Sequence, residues 1–415
     1  MASGDGAGSM QRRLAGPSAG AAGGPAGAAG SLAEPAGQEE PAKGRKPAAG
    51  VAWARVPATT ANLGPGFDCL GMALSGLELR AWLAPSSPDP ASWDRGEDEV
   101  TWDLHGEGPA TDPPGSNLVV RAIKAAFARA GQRHPAAWRL EVASTIPPAR
   151  GLGSSAAAIV AGLAAANQWL HRAGRPLQGS ELLDLAAGLE GHADNVAAAL
   201  LGGVVVAWRE APSPEDWERD EPAGPAGPAG EEGAGCWRAL SFRPRVPLYA
   251  VLAIPDRDAL TQEARAVLPD VVRRRDAVFN QSRVALLTLA LTTGRTDLLR
   301  EAMRDRLHQP YRMRLFPWLE RMVARAEAAG AEGACLSGAG PSLLALARRE
   351  EAGRVAEALR VGLRAEGVPG RVLVCPVARQ GCRSGMTGKW RGMRVRSHRD
   401  RSLADVRARG SRSAL

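Results

Sequence analysis

Two periodicities of apolar residues divide the chain into predicted strands and helices. Short runs of apolar residues, continuous or alternating with polar ones, are typical of β-strands; they occur at residues 51–56, 77–83, 138–144, 203–208, 248–254, 334–336, 343–346 and 371–374. Longer segments with apolar residues three or four positions apart are typical of helices; they occur at residues 117–130, 151–170, 181–189, 192–200, 269–291, 317–329 and 351–366. Because strands and helices are segregated rather than strictly alternating, the pattern predicts the α+β class.

Three segments lack the large apolar side chains that a core needs. Residues 1–50 and 211–235 are rich in Ala, Gly and Pro, and residues 379–415 are strongly basic. Such compositions bury too little apolar surface to offset the entropy lost on ordering. We therefore expect a disordered extension, a flexible insertion and a disordered tail, which leave residues 51–210 and 236–378 as two folded domains.

The net charge of +8 would suggest a nucleic-acid partner if it were spread over the folded body. Residues 382–415, however, contain ten basic and two acidic residues, so they carry all of the excess. The sequence thus predicts no nucleic-acid binding through the folded body.

The five cysteines are scattered and form no CxxC pair, which favours a reducing cytoplasm. The sequence contains no apolar run that resembles a signal peptide or is long enough to cross a bilayer. We expect a cytoplasmic protein with no membrane contact.

The most informative segment joins the strand at 138–144 to the Ala-rich helix that follows. Its residues are Pro147, Pro148, Ala149, Arg150, Gly151, Leu152, Gly153, Ser154, Ser155, Ala156 and Ala157. Two glycines let successive amides converge, and the helix that follows adds unpaired N–H groups with a partial positive charge. Such a turn can bind phosphate, although a plain strand-to-helix turn with serine caps remains open. No Walker Gly-Lys-Ser/Thr, protein-kinase signature or complete GxGxxG accompanies it.

Two other segments carry glycines beside polar residues. Residues 57–71 contain Asn62 and Asp68, and residues 336–343 contain Ser337, Gly338 and Gly340. Either segment alone fits an ordinary turn. In this order and spacing, together with residues 147–157, they are far more specific.

The three segments resemble the signature motifs of the GHMP kinases. The segment at residues 57–71, together with a fourth segment at residues 190–196, is most similar to the homoserine kinase family. The resemblance covers about residues 51–374. It implies a two-domain fold, with an N-terminal domain like ribosomal protein S5 domain 2 and a ferredoxin-like C-terminal domain. It also implies ATP and Mg²⁺ as cofactors, transfer of phosphate from ATP to the hydroxyl of L-homoserine in threonine biosynthesis, and a homodimer.

The resemblance also implies roles for individual residues. Residues 147–157 would bind ATP with Asn117 near the adenine, Ser155 and Glu190 would ligate Mg²⁺, and Ser337, Gly338 and Gly340 would support the phosphate loop. The substrate-binding candidates are Asn62, Asp68, His192, Thr261, Arg265 and Arg312. Independently of the family, an amino acid needs an acidic partner for its ammonium and a guanidinium for its carboxylate. Each arginine taken alone is nevertheless typical of a solvated surface side chain.

The catalytic candidates are Asn195, Asp194 and Glu190, and two alternatives remain for the group beside the substrate hydroxyl. Asn195 would position the hydroxyl without acting as a base, whereas Asp194 would act as a general base. Two other functions also remain open: a kinase for mevalonate or an isoprenoid precursor, and a non-catalytic ATP-binding protein on the same scaffold.

Overall fold

The computed structural model describes residues 50–85, 99–107, 117–135, 137–210, 236–258 and 261–388. The predicted extension and insertion, except Gly50, and most of the predicted tail lie outside these residues. Within them the chain forms two sheets with helices packed against both, so the predicted α+β class is confirmed.

The larger sheet has seven strands and comes mainly from the first half of the chain. They are β1 (Val51–Asn62), β2 (Gly66–Pro85), β3 (Glu99–Gly106), β4 (Ala137–Ser144), β5 (Val204–Arg209), β6 (Trp237–Phe242) and β11 (Arg383–Thr387). The order is β11-β1-β2-β4-β3, and β5 pairs with the beginning of β2 and with β6. All of these pairs are antiparallel except β3 with β4. The long β2 therefore joins two parts of the sheet.

Four helices pack against the larger sheet or against one another on it. They are α1 (Leu118–Arg129), α2 (Ser154–Arg172), α3 (Gly179–Glu190) and α4 (Asp194–Leu201). The Ala-rich α2 lies at the centre, against α1 and against strands β1 and β2, with most of its residues buried. Small side chains allow this close approach, so the core fixes the position of the beginning of α2.

The smaller sheet has four antiparallel strands in the order β10-β7-β9-β8. They are β7 (Tyr249–Pro255), β8 (Gly333–Leu336), β9 (Leu343–Ala347) and β10 (Gly370–Pro376). The associated helices are α5 (Thr261–Ala266), α6 (Arg274–Thr293), α7 (Leu299–Ala302), α8 (Gln309–Arg312), α9 (Leu319–Ala328) and α10 (Arg349–Ala365), with a 3₁₀ turn at Thr296–Leu298. Successive residues of β7 face opposite sides: Leu252 joins the core shared with the larger sheet, and Val251 and Ala253 join the core under α9 and α10.

Two strands correct the predicted domain boundaries. The sequence predicts residues 236–378 as the C-terminal domain, yet β6 pairs with β5 in the larger sheet. It predicts residues 379–415 as a disordered tail, yet β11 pairs with β1 from Arg383 to Thr387. Neither strand has a strong apolar pattern of its own. Pairing with a strand far away in the sequence defines both, and single-sequence periodicity does not detect such pairing.

Candidate functional site

A cavity of about 400 Å³ opens where the beginning of α2 meets the loops of both sheets. One end is lined by apolar side chains, including Leu104, Leu118 and Val142. The other end contains Asp68, Glu190, His192, Asp194, Arg265 and Arg312. The loop at residues 148–155 follows β4, which carries Val142, and ends at Ser155, which contacts Glu190. An elongated ligand with an apolar base, a phosphate chain and a charged partner would fit this order.

The loop before α2 leaves the end of the helix open to the cavity. Gly151 and Gly153 have φ values of 69° and 68°, in the left-handed region that favours glycine. Gly153 is the N-cap of α2, and no side chain caps the helix there. The serine caps of the alternative interpretation are therefore absent, and the first N–H groups of the helix are available to an anion.

Thr59 connects this loop to a predicted catalytic residue. Its backbone N–H donates to Leu152 O at 3.1 Å, and its hydroxyl donates to Asn195 Oδ1 at 2.7 Å. A Cβ on Gly153 would lie 1.8 Å from the Thr59 hydroxyl oxygen. The turn thus needs glycine at 153 both for its φ and for this close approach.

The turn between β8 and β9 closes over the other side of the loop. Ser337 is fully buried, and its hydroxyl donates to Gly151 O at 2.7 Å and lies 2.8 Å from the Thr60 hydroxyl. Gly338 N–H donates to Ala61 O at 3.2 Å. These hydrogen bonds hold the turn against the backbone of Gly151 and against the end of β1.

Ser155 and Glu190 meet at the beginning of α2. The Ser155 hydroxyl donates to Glu190 Oε1 at 2.6 Å. Burial of the Glu190 carboxyl raises its pKa, although His192 and the Ser155 hydrogen bond act in the opposite direction. A carboxylate and a hydroxyl are hard oxygen donors of the kind that Mg²⁺ prefers. A bound cation would also stabilise the charged form of the buried carboxyl, so the pair fits the predicted metal site.

His192 and Asp194 form a buried ion pair. His192 Nδ1 lies 2.6 Å from Asp194 Oδ1, which also accepts from the backbone N–H of Asn195 at 2.6 Å. Burial alone would lower the pKa of His192, but the charge of Asp194 and its hydrogen bond outweigh burial and raise the pKa to about 9. His192 is therefore charged at neutral pH, and the Asp194 carboxylate is engaged by it.

Asp68 and Arg265 pair directly across the cavity. Arg265 donates from Nη2 to Asp68 Oδ1 at 2.9 Å and from Nη1 to Asp68 Oδ2 at 3.1 Å. Asn62 orients the loop, since its Oδ1 accepts from the backbone N–H of Asp68 at 3.1 Å and its Nδ2 donates to Gly338 O at 3.1 Å. An acidic and a basic group are thus held side by side in the cavity.

Arg312 is 2% exposed, an unusual environment for a guanidinium. Its Nε donates to Ala264 O at 3.1 Å and its Nη1 donates to Gly338 O at 3.2 Å. Burial, followed by the charge of Arg265, lowers the pKa of Arg312 to about 10. No carboxylate of the described residues lies within 4.0 Å of it, and the charges of Asp68, Asp305 and Asp194 act on it only from farther away.

The apolar end of the cavity contains residues that sequence reasoning missed. These are Leu79, Leu104, His105, Gly106, Glu107, Leu118, Val142 and Ser144. Asn117 lies beside them, and its Oδ1 caps α1 by accepting from Val119 N at 2.9 Å. The strand β3 supplies several of the missed residues. The alternation of Val100, Trp102 and Leu104 with polar residues was a detectable signal for it.

Some predicted residues have other surroundings. Pro147, Ala156, Ala157, Ser337 and Gly340 do not line the cavity, and both alanines are fully buried in the core. Arg150 lines it, but its guanidinium donates to Pro255 O at 2.7 Å and pairs with Asp258, which links the loop to the smaller sheet. Thr261 is the first residue of α5, and its side chain lies outside the described part.

Comparison with known proteins decides the family. Residues 117–203 match the model of the GHMP kinase N-terminal domain, and residues 286–362 match that of the C-terminal domain. The chain is 42% identical to a homoserine kinase of Synechococcus sp. over 79% of its own length and 95% of that protein. It is 43% identical to a homoserine kinase of Gloeobacter violaceus, over 79% of this chain and 97% of that protein. The chain belongs to the homoserine kinase family of the GHMP kinases.

Solved structures agree with this membership. The crystal structure of homoserine kinase from Cytophaga hutchinsonii superposes with a TM-score of 0.66 and 27% identity, over 83% of this chain and all of that one. The crystal structure of an L. major mevalonate kinase superposes with a TM-score of 0.53 and 18% identity, over 82% of this chain and 98% of that one. This likeness shows the fold alone. Membership of this kinase family implies that ATP is the phosphate donor. No helix in the described ranges has the length and apolar character needed to span a membrane.

Proposed function

We propose that this protein transfers the γ-phosphoryl group of ATP to the hydroxyl of L-homoserine and forms O-phospho-L-homoserine, a step of threonine biosynthesis. The observation that carries the proposal is the buried Arg312 guanidinium, which lacks a carboxylate partner and lies beside Asp68 and Arg265 in the cavity that contains the open end of α2. Family membership supports the same reaction.

The charged end of the cavity suits a zwitterion better than a simple hydroxy acid. The carboxylate of the substrate would bind Arg265 and Arg312, and its ammonium would bind Asp68. Binding would therefore replace the Asp68–Arg265 pair with two pairs to the ligand. Mevalonate has no ammonium group and would leave Asp68 without a partner.

The phosphates of ATP would bind the amides around Gly151 and Gly153 and the end of α2, with the nucleoside towards Leu104, Leu118 and Asn117. Glu190 and Ser155 would hold Mg²⁺, which when bound neutralises charge on the phosphates. Phosphoryl transfer depends mainly on in-line positioning and on neutralised charge. Backbone donors and the Ser155–Glu190 pair supply both.

Asn195 is the better candidate for the group beside the substrate hydroxyl. Its Oδ1 accepts from Thr59 at 2.7 Å, so the amide Nδ2 is left as the donor, and Nδ2 makes only a long bond of 3.4 Å to Asp194 Oδ1 among the described residues. The Asp194 carboxylate is ion-paired with His192 and also accepts from the backbone N–H of Asn195, so its Oδ1 is already used by the protein. We therefore assign Asn195 to positioning the hydroxyl and Asp194 to holding His192.

A coupled assay of ADP release tests the proposed function. L-Homoserine, mevalonate and galactose are compared as acceptors at equal concentrations of ATP and Mg²⁺. We expect turnover with L-homoserine alone, and ATP binding without any homoserine-dependent ADP release would refute the proposal.

Variants of the two neighbouring residues test their roles. Asn195→Ala should lower kcat while leaving the KM for ATP unchanged, because the amide acts on the hydroxyl and not on the nucleotide. Asp194→Asn should retain measurable turnover. Complete loss of turnover in Asp194→Asn, with substrate binding intact, would instead identify Asp194 as the base.

Location and assembly remain predictions. The five cysteines are free, consistent with the expected reducing cytoplasm. Light scattering of the full chain in solution would test the expected homodimer.

A further inference from the structure

We propose that His308, stacked on Phe67, is a positioning residue that holds the Arg312 guanidinium ready for the substrate carboxylate. This inference rests on the proposed function, because it assumes that Arg312 binds that carboxylate. It adds two residues, neither of which lines the cavity, to the machinery that selects an amino acid.

The hydrogen bonds of His308 define its tautomer. The side chain is fully buried; its Nδ1 lies 3.3 Å from Arg312 Nη1 and its Nε2 lies 2.6 Å from Gly64 O. A guanidinium can only donate, so Nδ1 must accept, and a carbonyl can only accept, so Nε2 must carry the proton. His308 therefore works as a neutral imidazole that bridges the beginning of α8 and the segment at residues 57–71, which contains Gly64. Burial lowers the pKa of His308, which favours the same neutral form.

Asp305 fixes the backbone on which His308 lies. Its carboxylate accepts from the N–H of His308 at 3.0 Å and of Gln309 at 2.6 Å, and from Asn280 Nδ2 at 2.7 Å. Asp305 Oδ2 also lies 3.6 Å from His308 Nε2, farther than the Gly64 carbonyl. The imidazole is thus held from its main chain as well as from both ring nitrogens.

Phe67 connects this histidine to both arginines. Its ring stacks on the His308 ring with centroids 5.3 Å apart and an interplanar angle of 27°. The guanidinium carbons of Arg312 and Arg265 lie 5.2 and 5.7 Å from the centroid of the same ring. The negative face of an aromatic ring attracts cations, so Phe67 offsets part of the repulsion between two like charges held close together.

The remaining donors of Arg312 are those that a substrate would need. Nε and Nη1 are used by Ala264, Gly338 and His308. No acceptor among the described residues lies within hydrogen-bond distance of Nη2, and Arg312 lines the cavity. A guanidinium fixed in this way loses less side-chain entropy when a carboxylate arrives. Without His308 only the Ala264 and Gly338 carbonyls would hold the guanidinium, and the substrate would have to supply the rest of its ordering.

Two substitutions separate the interactions of His308. The amide of asparagine reaches the position of Nδ1 and can still accept from Arg312, whereas the amide of glutamine reaches the position of Nε2 and can only keep the bond to Gly64. A hydrogen bond to a buried charged group typically corresponds to about tenfold or more in affinity. We expect His308→Gln to raise the KM for L-homoserine about tenfold with an unchanged KM for ATP, and His308→Asn to raise it less.

A ligand without the carboxylate shows whether the effect passes through Arg312. The inhibition constant of 3-aminopropan-1-ol, which keeps the ammonium and hydroxyl of homoserine, should be the same in His308→Gln and in the wild type. Phe67→Leu should raise the KM for L-homoserine about threefold, as expected for one cation–π contact. His171→Gln is the control for exchanging a histidine for glutamine, because His171 is exposed in the last turn of α2. Its KM for L-homoserine should equal that of the wild type.

The outcomes separate this inference from the proposed function. A wild type without homoserine turnover would overturn both. Turnover in the wild type with an unchanged KM in His308→Gln would overturn the inference alone. Equal weakening of L-homoserine and 3-aminopropan-1-ol, or a matching rise in the KM for ATP, would indicate a purely structural role and would also overturn it. Thermal unfolding of each variant shows whether it is folded.

Discussion

Replacement of Asp194 by asparagine tests the ion pair between Asp194 and His192. Asp194 is 1% exposed and His192 Nδ1 lies 2.6 Å from its carboxylate. Asparagine keeps the shape and can still accept the N–H of Asn195, but it removes the negative charge. The burial of His192 is then opposed only by the more distant Glu190 and Asp68, so its pKa should fall well below 9.

The size of the effect follows from the shift in pKa. The pKa of His192 is raised from 6.5 to about 9, and each unit corresponds to about 1.4 kcal/mol. The acidic neighbours of His192, Asp194 first among them, therefore contribute ~3 kcal/mol to the free energy of unfolding, net of the cost of burial. A group with a raised pKa in the folded state contributes fully below its unfolded pKa. The contribution is lost as pH rises through the folded value, so the window lies between pH 6.5 and about 9.

Urea unfolding of the wild type and of Asp194→Asn at about pH 6 and pH 9.5 measures this contribution. We expect the wild type to exceed the variant by ~3 kcal/mol more at the lower pH than at the higher one. Other titrating groups cancel in the difference, and loss of the carboxylate as a plain acceptor would add the same amount at both values. A difference between the two proteins that does not change with pH would refute the ion pair.

Three further predictions concern the loop before α2 and strand β11. Gly153→Ala should lower kcat about 100-fold, because its Cβ would lie 1.8 Å from the Thr59 hydroxyl and would displace Asn195; wild-type steady-state kinetics would contradict this. Ser155→Ala should raise the Mg²⁺ concentration for half-maximal rate about tenfold without changing the KM for L-homoserine, and an unchanged requirement would remove Ser155 from the metal site. Truncation after Gly388 should leave kcat and melting temperature unchanged, whereas truncation after Ala378 should lower the melting temperature because it removes β11 from β1; equal melting temperatures would show that β11 contributes nothing.

Features encoded by adjacent residues could be predicted from the sequence. The helix at 151–170 and the strand at 138–144 have strong periodicities, and both appear with small shifts of their ends as α2 and β4. The turn between them lies on neighbouring residues, since Gly151, Gly153 and the start of the helix determine its geometry by local sterics. The resemblance to GHMP kinases and the α+β class rest on such local segments.

Features made by distant residues depended on the tertiary structure. Thr59 meets Asn195 across 136 positions, and His308 meets Gly64 across 244. Nothing in the local sequence around His308 distinguishes a buried bridge from an exposed side chain, and β6 and β11 are strands only because β5 and β1 supply their hydrogen bonds.

The sequence by itself thus determined the glycine turn before α2, the class of fold and the residue types of the candidate site. The tertiary structure decided which of those residues pair: Asp194 with His192, Asp68 with Arg265, and Arg312 with His308. The physical reason is that backbone geometry depends on adjacent residues, whereas burial, charge pairing and pKa depend on what packing brings together from the whole chain.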